Sequence, residues 1–342
     1  ANLSRSDLTG VDLSGANLSG ANLGRATLIA ADAREANLSG ANLNGADLSK
    51  ADFSRAKMSW TDLRNTVVNE LTQIDPKWRL VWEIVNQGAM QRDLSRADLA
   101  GANLRGAHLG WINLSGAFLS RIDLQDADLS YANFGSSNLS DALLSRANLE
   151  RASLTEADLR GADLSLCSMN EADLTGAVLE GATLSGASLV EANLTKVVAE
   201  RVALNGVNLE RANLVESNLS YGNLERAALN GANLGWANLS RVNLEKANLA
   251  EANLSGANLD DARLHGANLS GAFLFGARVS LKALSTARSL ANATMPDGIK
   301  YEDWVRRQSG DYVPPALTNN GGAPAGYVTT DSPLDYTPVD EV

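Results

Sequence analysis

Apolar residues recur every five positions along most of the chain. The repeated unit reads Ala-Asn/Asp-Leu-Ser-Gly with tolerated substitutions, and it is plain at residues 16–20, 41–45 and 252–256. Its central positions run from Leu3 to Leu63 and again from Leu94 to Val279, which gives 13 and 38 repeats. Leu occupies 44 of these 51 centres, and Ala occupies 37 of the positions two residues earlier. A constant period over this many repeats does not arise by chance, so the repeat determines the fold.

A period of five fits neither an α-helix nor a flat strand. Helices stack residues three and four apart, whereas strands alternate every two. A chain that bends every five residues instead turns one small and one large side chain inward from each repeat. The Asn or Asp between them can hydrogen-bond local backbone and favours turns. The pattern therefore predicts a solenoid with an Ala/Leu core and a polar exterior.

On these residues the chain resembles the pentapeptide-repeat family over about residues 1–63 and 92–295; residues 293–298 further resemble the closing phrase of its cyanobacterial members. The resemblance implies an all-β solenoid: a right-handed quadrilateral parallel β-helix with four repeats per coil. The 51 repeats would then form about 13 coils, and a coil spacing of about 4.8 Å would give a rod ~60 Å long. In such a stack only the two ends are free edges.

The pattern divides the chain into five segments. They are N-terminal coils at 1–63, a helix-containing insertion at 64–92, the main β-helix at 93–279, a small C-terminal helical cap at 280–310 and an extended tail at 311–342. The first coil carries no cap and would expose backbone donors and acceptors. We therefore expect the N-terminal end to be covered by preceding sequence, a second copy or a partner.

The insertion shifts the register, because Leu63 and Leu94 lie 31 residues apart, one more than six repeats. Asp75 and Pro76 favour a helix start and Gly88 favours its end. The resulting helix of about three turns gathers its apolar side chains on one face; these are Trp78, Leu80, Val81, Trp82, Ile84 and Val85. A similar segment recurs in the cyanobacterial members that the chain resembles.

Two interpretations of this helix stay open. In the first, the rod covers its apolar face and the helix closes a seam. In the second, the helix docks another protein, because two Trp residues in a small element are typical hot-spot residues. The second interpretation makes Trp78, Trp82 and Val85 candidate protein contacts.

In the main β-helix, residues 20 apart would lie above one another. Trp111 and Tyr131 are then vertical neighbours on one outer face, with Arg151 next. Exposed aromatic residues are uncommon on such a rod, so this trio is the main candidate for a protein-contact patch. The alternative is that these are scattered surface aromatics.

The C-terminal cap is expected to begin with a short helix after Ser280 that carries Leu281, Leu284 and Leu290, with Tyr301, Trp304 and Val305 sealing the last coil. Five of the seven prolines follow in the tail, whose composition predicts an extended segment. Its tyrosines, Tyr312, Tyr327 and Tyr336, are candidate anchors on the chain's own rod or on a neighbouring protein.

Composition argues against several classes of partner and structural feature. The formal net charge of −11 argues against a nucleic-acid partner. The single cysteine, Cys167, excludes an internal disulfide and falls in the small inward register, which predicts core packing. No apolar run reaches the ~18 residues that a membrane span needs. No signal peptide is visible, so we expect a cytoplasmic protein.

No enzyme chemistry is predicted. His108 and His265 fall on different faces and about eight coils, or roughly 38 Å, apart, so they cannot share a metal or a proton relay. The Asp residues before each centre are expected to bond local backbone. We accordingly predict no catalytic, cofactor-binding or metal-binding residues and no cofactor.

Two functions remain. The first is a rigid scaffold or linker for protein–protein interaction in a larger assembly; resemblance to cyanobacterial members suggests a photosynthetic or antenna complex such as a phycobilisome. The second is a DNA mimic, since some family members bind type II topoisomerases such as gyrase. A mimic needs a continuous acidic track, which basic residues interrupt here; these are Arg146, Arg151, Arg211, Arg226, Arg241 and Lys246.

Overall fold

The computed structural model describes residues 1–309, and these form a stack of coils with four repeats in each. The residue before each centre pairs in parallel with the residue 20 positions later, from Asn2 with Asn22 to Asp47 with Val67 and again from Asp93 with Asn113 to Asn258 with Arg278. Between coils, the Leu114 N–H donates to the Asn133 carbonyl (2.7 Å) and the Asn133 N–H donates to the Ile112 carbonyl (2.8 Å). The expected quadrilateral arrangement follows from this pairing, since four five-residue repeats complete one coil.

The core is the double column of Ala and Leu side chains that the repeat predicts. Centres such as Leu99, Leu164 and Leu234 are fully buried, and so are inward residues such as Ala132. Each buried Leu contributes about 2 kcal/mol of burial free energy. Cys167 occupies the Ala register, where it is buried and donates its Sγ–H to the Leu144 carbonyl (2.9 Å), which confirms its predicted place in the core.

Every repeat ends in a tight turn. The N–H three residues after the centre donates back to the Leu carbonyl, as Ala132 does to Leu129 (3.0 Å). Only the second central residue of the turn has a positive φ, the pattern of a type II turn. The preceding Asn or Asp accepts the backbone N–H two residues on, as Asp93 does from Ser95 (3.0 Å). This local bonding is the role predicted for those acidic residues.

The N-terminal coils continue past residue 63 to Ile74. Strand β1 (Asp52–Phe53) pairs in parallel with β2 (Gln73–Ile74), and the partners Asp52 and Gln73 are 21 residues apart. One extra residue has therefore been accommodated before the chain leaves the stack. The coils after the insertion rest on those before it, because the Trp60 N–H donates to the Gly101 carbonyl (2.7 Å).

Helix α1 (Pro76–Gln87) leaves the stack and folds back on it. Its buried residues Trp78, Val81 and Ile84 join the core. The Asp75 carboxylate does not cap the helix as the sequence suggested. It accepts the Arg55 backbone N–H instead (3.2 Å), because Asp75 lies above Arg55 at the same corner of the rod.

The C-terminal end differs from the expected cap. Helix α2 (Leu281–Leu284) is one turn long and leaves Leu281 exposed. The extra residue it introduces shifts the pairing to 21, as for Asn268 with Ser289, and the coil then resumes. Leu290 is therefore buried in a further coil rather than on a helix with Leu284, as expected from the sequence.

Helix α3 (Tyr301–Ser309) comes after this last coil. The rings of Tyr301 and Trp304 lie 6.5 Å apart and pack against the core, as predicted for a seal. Val305, expected in the same seal, is exposed instead, because it lies on the side of α3 that faces away from the core. None of the three helices within residues 1–309 has the length and apolar character needed to cross a membrane.

Candidate protein-contact surface

The turns determine which side chains can meet a partner. The second turn residue of each repeat points outward at a corner of the rod, and residues 20 apart form a vertical column along that corner. We call the column that contains Trp111, Tyr131, Arg151 and Glu171 the aromatic corner. Each of these residues has a positive φ of 55–61°. A non-glycine residue costs about 1 kcal/mol in this conformation relative to Gly, so the coil stacking must impose it.

Trp111 and Tyr131 form a face-to-face pair. Their ring centroids lie 4.1 Å apart and the ring planes differ by 3°. The Trp111 side chain is nevertheless 56% exposed and Tyr131 is 36% exposed. The pair therefore presents one continuous aromatic surface that is already held in place, so binding a partner costs little side-chain entropy.

Arg151 extends this surface by one coil. Its guanidinium lies 5.7 Å from the Tyr131 ring centroid, and Nη1 donates to the Tyr131 hydroxyl (2.8 Å). Its Nε and Nη2 donate to the two carboxylate oxygens of Glu171 (2.9 and 3.0 Å). Hydrogen bonds to Glu171 and then to Tyr131 raise the pKa of Arg151, while the bond from Arg151 lowers the pKa of Glu171. Both groups stay charged at neutral pH.

The structure therefore brings Trp111, Tyr131 and Arg151 together in the order that the 20-residue spacing predicts. The trio combines an aromatic plate, a phenol and an oriented guanidinium within three successive coils. Trp, Tyr and Arg are the residue types enriched at binding hot spots. This combination makes the aromatic corner the leading candidate for a contact surface.

The helix candidates lie elsewhere and are largely occupied. Trp78 is 8% exposed and packs in the core. Trp82 and Val85 are partly buried against the rod, and the Trp82 Nε1–H donates to the Thr66 carbonyl (3.1 Å). Asn86 donates to the Leu63 carbonyl (3.0 Å). The apolar face of α1 thus covers the end of the N-terminal coils, which agrees with the first of the two interpretations.

The tail candidates Tyr312, Tyr327 and Tyr336 lie outside the described residues. Their role stays a prediction.

The sequence analysis did not predict a contact between Trp60 and Arg121, which lie on opposite sides of the register shift. The Trp60 Nε1–H reaches two coils along to the Arg121 carbonyl (2.7 Å), and the Arg121 guanidinium lies 4.7 Å from the Trp60 ring centroid. Gly101 intervenes at the same corner and has no side chain to block this path. The one-residue shift broke the 20-residue arithmetic, so no sequence signal paired these residues.

A second aromatic site could have been predicted from the 20-residue spacing alone. Tyr221 lies between Arg201 and Arg241, whose guanidinium carbons are 5.5 and 5.3 Å from its ring centroid. Arg241 also donates to the Tyr221 hydroxyl (2.6 Å). The numbers 201, 221 and 241 give this column directly, although no second aromatic residue joins it.

Charged residues at the corners neutralise one another between coils. Each of the following pairs joins residues 20 apart: Arg55 with Glu35 (3.4 Å), Arg211 with Glu191 (2.9 Å), Lys196 with Glu216 (3.6 Å) and Arg241 with Asp261 (3.5 Å). The acidic side chains along these corners therefore carry adjacent positive charge. Such pairing prevents these corners from presenting a long, continuous acidic surface.

Reactive groups in the described part of the chain show no clustering. Among residues 1–309 no group of three or more His, Cys, Asp and Glu side chains could hold a metal ion. Burial raises the pKa of the Cys167 thiol to about 12, so the thiolate is scarce at neutral pH. A polar cavity of about 530 Å³ lies at one N-terminal corner, beside Arg34, Glu35 and Asp52.

Comparison with known protein families identifies the repeat. The sequence profile of the family described as pentapeptide repeats matches in eight copies, at residues 1–32, 31–68, 93–130, 132–171, 172–211, 200–235, 208–245 and 237–276. The curated proteins contain no match.

Solved structures with similar coils come from several sources. HetL, which is involved in heterocyst differentiation regulation in the cyanobacterium Nostoc, is 34% identical over 61% of this chain and 91% of its own, with a TM-score of 0.45. A pentapeptide repeat protein of the Arabidopsis thaliana thylakoid lumen is 37% identical over 32% of this chain and 66% of its own (TM-score 0.25). Full-length QnrB1, a plasmid-mediated fluoroquinolone resistance protein, is 18% identical over 80% and 92% (TM-score 0.21).

The repeat profile spans well over half of the chain, and the 20-residue pairing between coils is the quadrilateral arrangement of the family's right-handed β-helices. The chain therefore belongs to the pentapeptide-repeat family.

Proposed function

We propose that the protein is a non-enzymatic rigid scaffold, or linker, that holds another protein through its aromatic corner as part of a larger assembly. The observation that supports this most directly is the stacked, exposed pair of Trp111 and Tyr131. A solitary surface aromatic needs no explanation, but two parallel rings with an oriented arginine beside them form a prepared contact surface.

The rest of the rod suits a spacer. Its coils are joined by continuous backbone hydrogen bonds and an uninterrupted Ala/Leu core, so a contact made at one corner is held at a fixed distance from either end. The setting in a photosynthetic or antenna assembly is the finer part of the proposal, and identification of the bound protein tests it.

The test is a capture experiment with matched variants. Immobilised full-length protein is incubated with a lysate of its source organism, and bound proteins are identified by mass spectrometry. The Trp111→Ala, Tyr131→Ala double variant should lose its main partner. Truncation of a hot-spot aromatic side chain costs about 2 kcal/mol, which is roughly a thirtyfold loss of affinity.

Tyr221→Ala is the matched control. Tyr221 occupies the same turn position, has a positive φ and contacts an arginine through its hydroxyl, but it lacks a stacked aromatic neighbour. It should leave capture intact. Retention of every partner by the double variant would refute the aromatic corner as the contact surface.

The DNA-mimic alternative predicts inhibition of gyrase, which the scaffold proposal does not. Because the corner charges pair between coils, we expect the protein to leave the DNA supercoiling activity of purified gyrase unchanged. Inhibition at a near-stoichiometric amount of protein would overturn the scaffold proposal in favour of the mimic.

A further inference from the structure

A second aromatic patch lies near the C-terminal end of the rod. It consists of Trp236, Phe273 and Phe275, and we call it the C-terminal patch. Trp236 is 70% exposed, the largest fraction among the large hydrophobic side chains of the described residues. Phe275 is 54% and Phe273 is 44% exposed, and their ring centroids lie 6.3 Å apart. The aromatic corner does not include these residues.

Glycines shape this patch. The Trp236 ring lies across Gly256 in the next coil, so closely that a Cβ on Gly256 would approach ring carbon Cε3 to 2.5 Å. The Gly256 N–H donates to the Phe275 carbonyl (2.9 Å), which places Phe275 on the coil above. Gly276 comes next at the same corner. Three successive coils therefore present aromatic surface and glycine backbone side by side.

The patch lies close to the point where the described chain ends. A Cβ on Gly298 would lie 3.3 Å from the Phe275 ring, so the turn before α3 already touches the patch. Helix α3 begins three residues further on, and its nine residues span about 14 Å. The end of α3 is therefore within about 25 Å of Phe275, even with the connecting residues fully extended.

The end of the rod and the C-terminal segment beyond it carry opposite net charges. Residues 278–309 contain six basic and three acidic residues, a net charge of +3. Lys282 and Arg288 are exposed in this segment, whereas Arg278 forms an ion pair with Asp260. Residues 310–342 contain five acidic residues and no Lys or Arg, a net charge of −5. The two segments are thus electrostatically complementary.

We propose that residues 310–342 dock on the C-terminal patch of their own chain. Pro314 and Pro315 are flanked by Tyr312 and Leu317, and aromatic surfaces are the usual receptors for proline-containing segments. The tether starts near the patch and the opposite charges attract, so the local concentration of the segment is high. A partner in trans would have to compete with it.

Photo-crosslinking tests this directly in the full-length chain. Trp236 is replaced by p-benzoylphenylalanine, and irradiated monomer is digested and analysed by mass spectrometry. Crosslinks should map to residues 310–342 of the same chain, with a yield independent of protein concentration. The same replacement at Trp111 is the control and should give no such crosslinks. Crosslinks only between chains, or none to residues 310–342, would overturn the proposal.

A second measurement does not depend on the introduced side chain. Chymotrypsin cleavage at Tyr312, Tyr327 and Tyr336 should be at least about tenfold faster in the Trp236→Ala, Phe275→Ala double variant, the loss expected when aromatic anchors are truncated. Trp111→Ala should leave the rate unchanged. An unaltered thermal unfolding midpoint shows that the double variant is folded.

Substitutions within residues 310–342 leave the rod untouched. Pro314→Ser with Pro315→Ser should therefore accelerate cleavage at the later tyrosines by the same factor. Higher salt should do so in the wild-type chain, because it screens the charge attraction. Rates that are equal in all variants and at all salt concentrations would refute docking.

Discussion

Ser137 carries a buried hydroxyl without a hydrogen-bond partner, and its removal should stabilise the rod. The residue is 1% exposed and occupies the small inward register that is usually Ala. Its Oγ makes no hydrogen bond, and the same holds for Ser217. Ser137→Ala keeps the Cβ that packs in the core and deletes only the unpaired polar atom.

The magnitude follows from the cost of burying a polar group. An unsatisfied buried hydroxyl costs about 1–3 kcal/mol. We take the lower end and expect Ser137→Ala to raise the free energy of unfolding by about 1 kcal/mol, or the unfolding midpoint by roughly 2 °C for a chain of this size. Ser217 lies four coils, or about 19 Å, away. The two effects should add to about 2 kcal/mol.

Thr61→Val, which removes the hydroxyl and keeps the branched shape, is the matched control, measured with the serine variants by thermal and urea unfolding. Thr61 is equally buried in the same register, but its Oγ1 donates to the Leu38 carbonyl (2.8 Å). Removal of this bond should destabilise the rod by about 1 kcal/mol, the opposite sign. If Ser137→Ala also lowers the unfolding free energy, its hydroxyl is hydrogen-bonded in solution and the reasoning is wrong.

Three further predictions concern other parts of the molecule. Asn86→Ala removes the bond to the Leu63 carbonyl (3.0 Å), so hydrogen exchange should accelerate in α1 while the distant coils stay unchanged; uniform acceleration would contradict this. Burial raises the pKa of Asp62, but hydrogen bonds from Arg64 outweigh it and hold the pKa below the ordinary 3.8. The stabilisation that results is present above pH 3.8 and is lost as the pH falls below it. Asp62→Asn should therefore flatten the acid limb of a curve of unfolding free energy against pH. An unchanged acid limb would show that the Asp62–Arg64 pair does not stabilise the fold. With its pKa near 12, Cys167 should resist alkylation at a pH of about 8.5, the ordinary cysteine pKa, and react once the chain unfolds; rapid labelling of folded protein would show that its coil opens.

The sequence by itself determined the coil. The fivefold period specifies which residues turn inward, and four repeats per coil place residues 20 apart above one another. Backbone hydrogen bonds between identical coils impose this vertical order whatever the outward side chains are. For that reason the alignment of Trp111, Tyr131 and Arg151 could be predicted, as could the burial of Cys167.

Only the tertiary structure decided what happens where that period fails. One extra residue before β2 and one at α2 change the vertical spacing to 21, and the period contains no information about where a corner absorbs a residue. The sequence could therefore neither place Leu290 in a coil nor pair Trp60 with Arg121. It also left open which surface receives the apolar face of α1. That choice depends on the Leu63 and Thr66 carbonyls and the uncovered core at the end of the N-terminal coils, a surface that exists only once those coils have stacked.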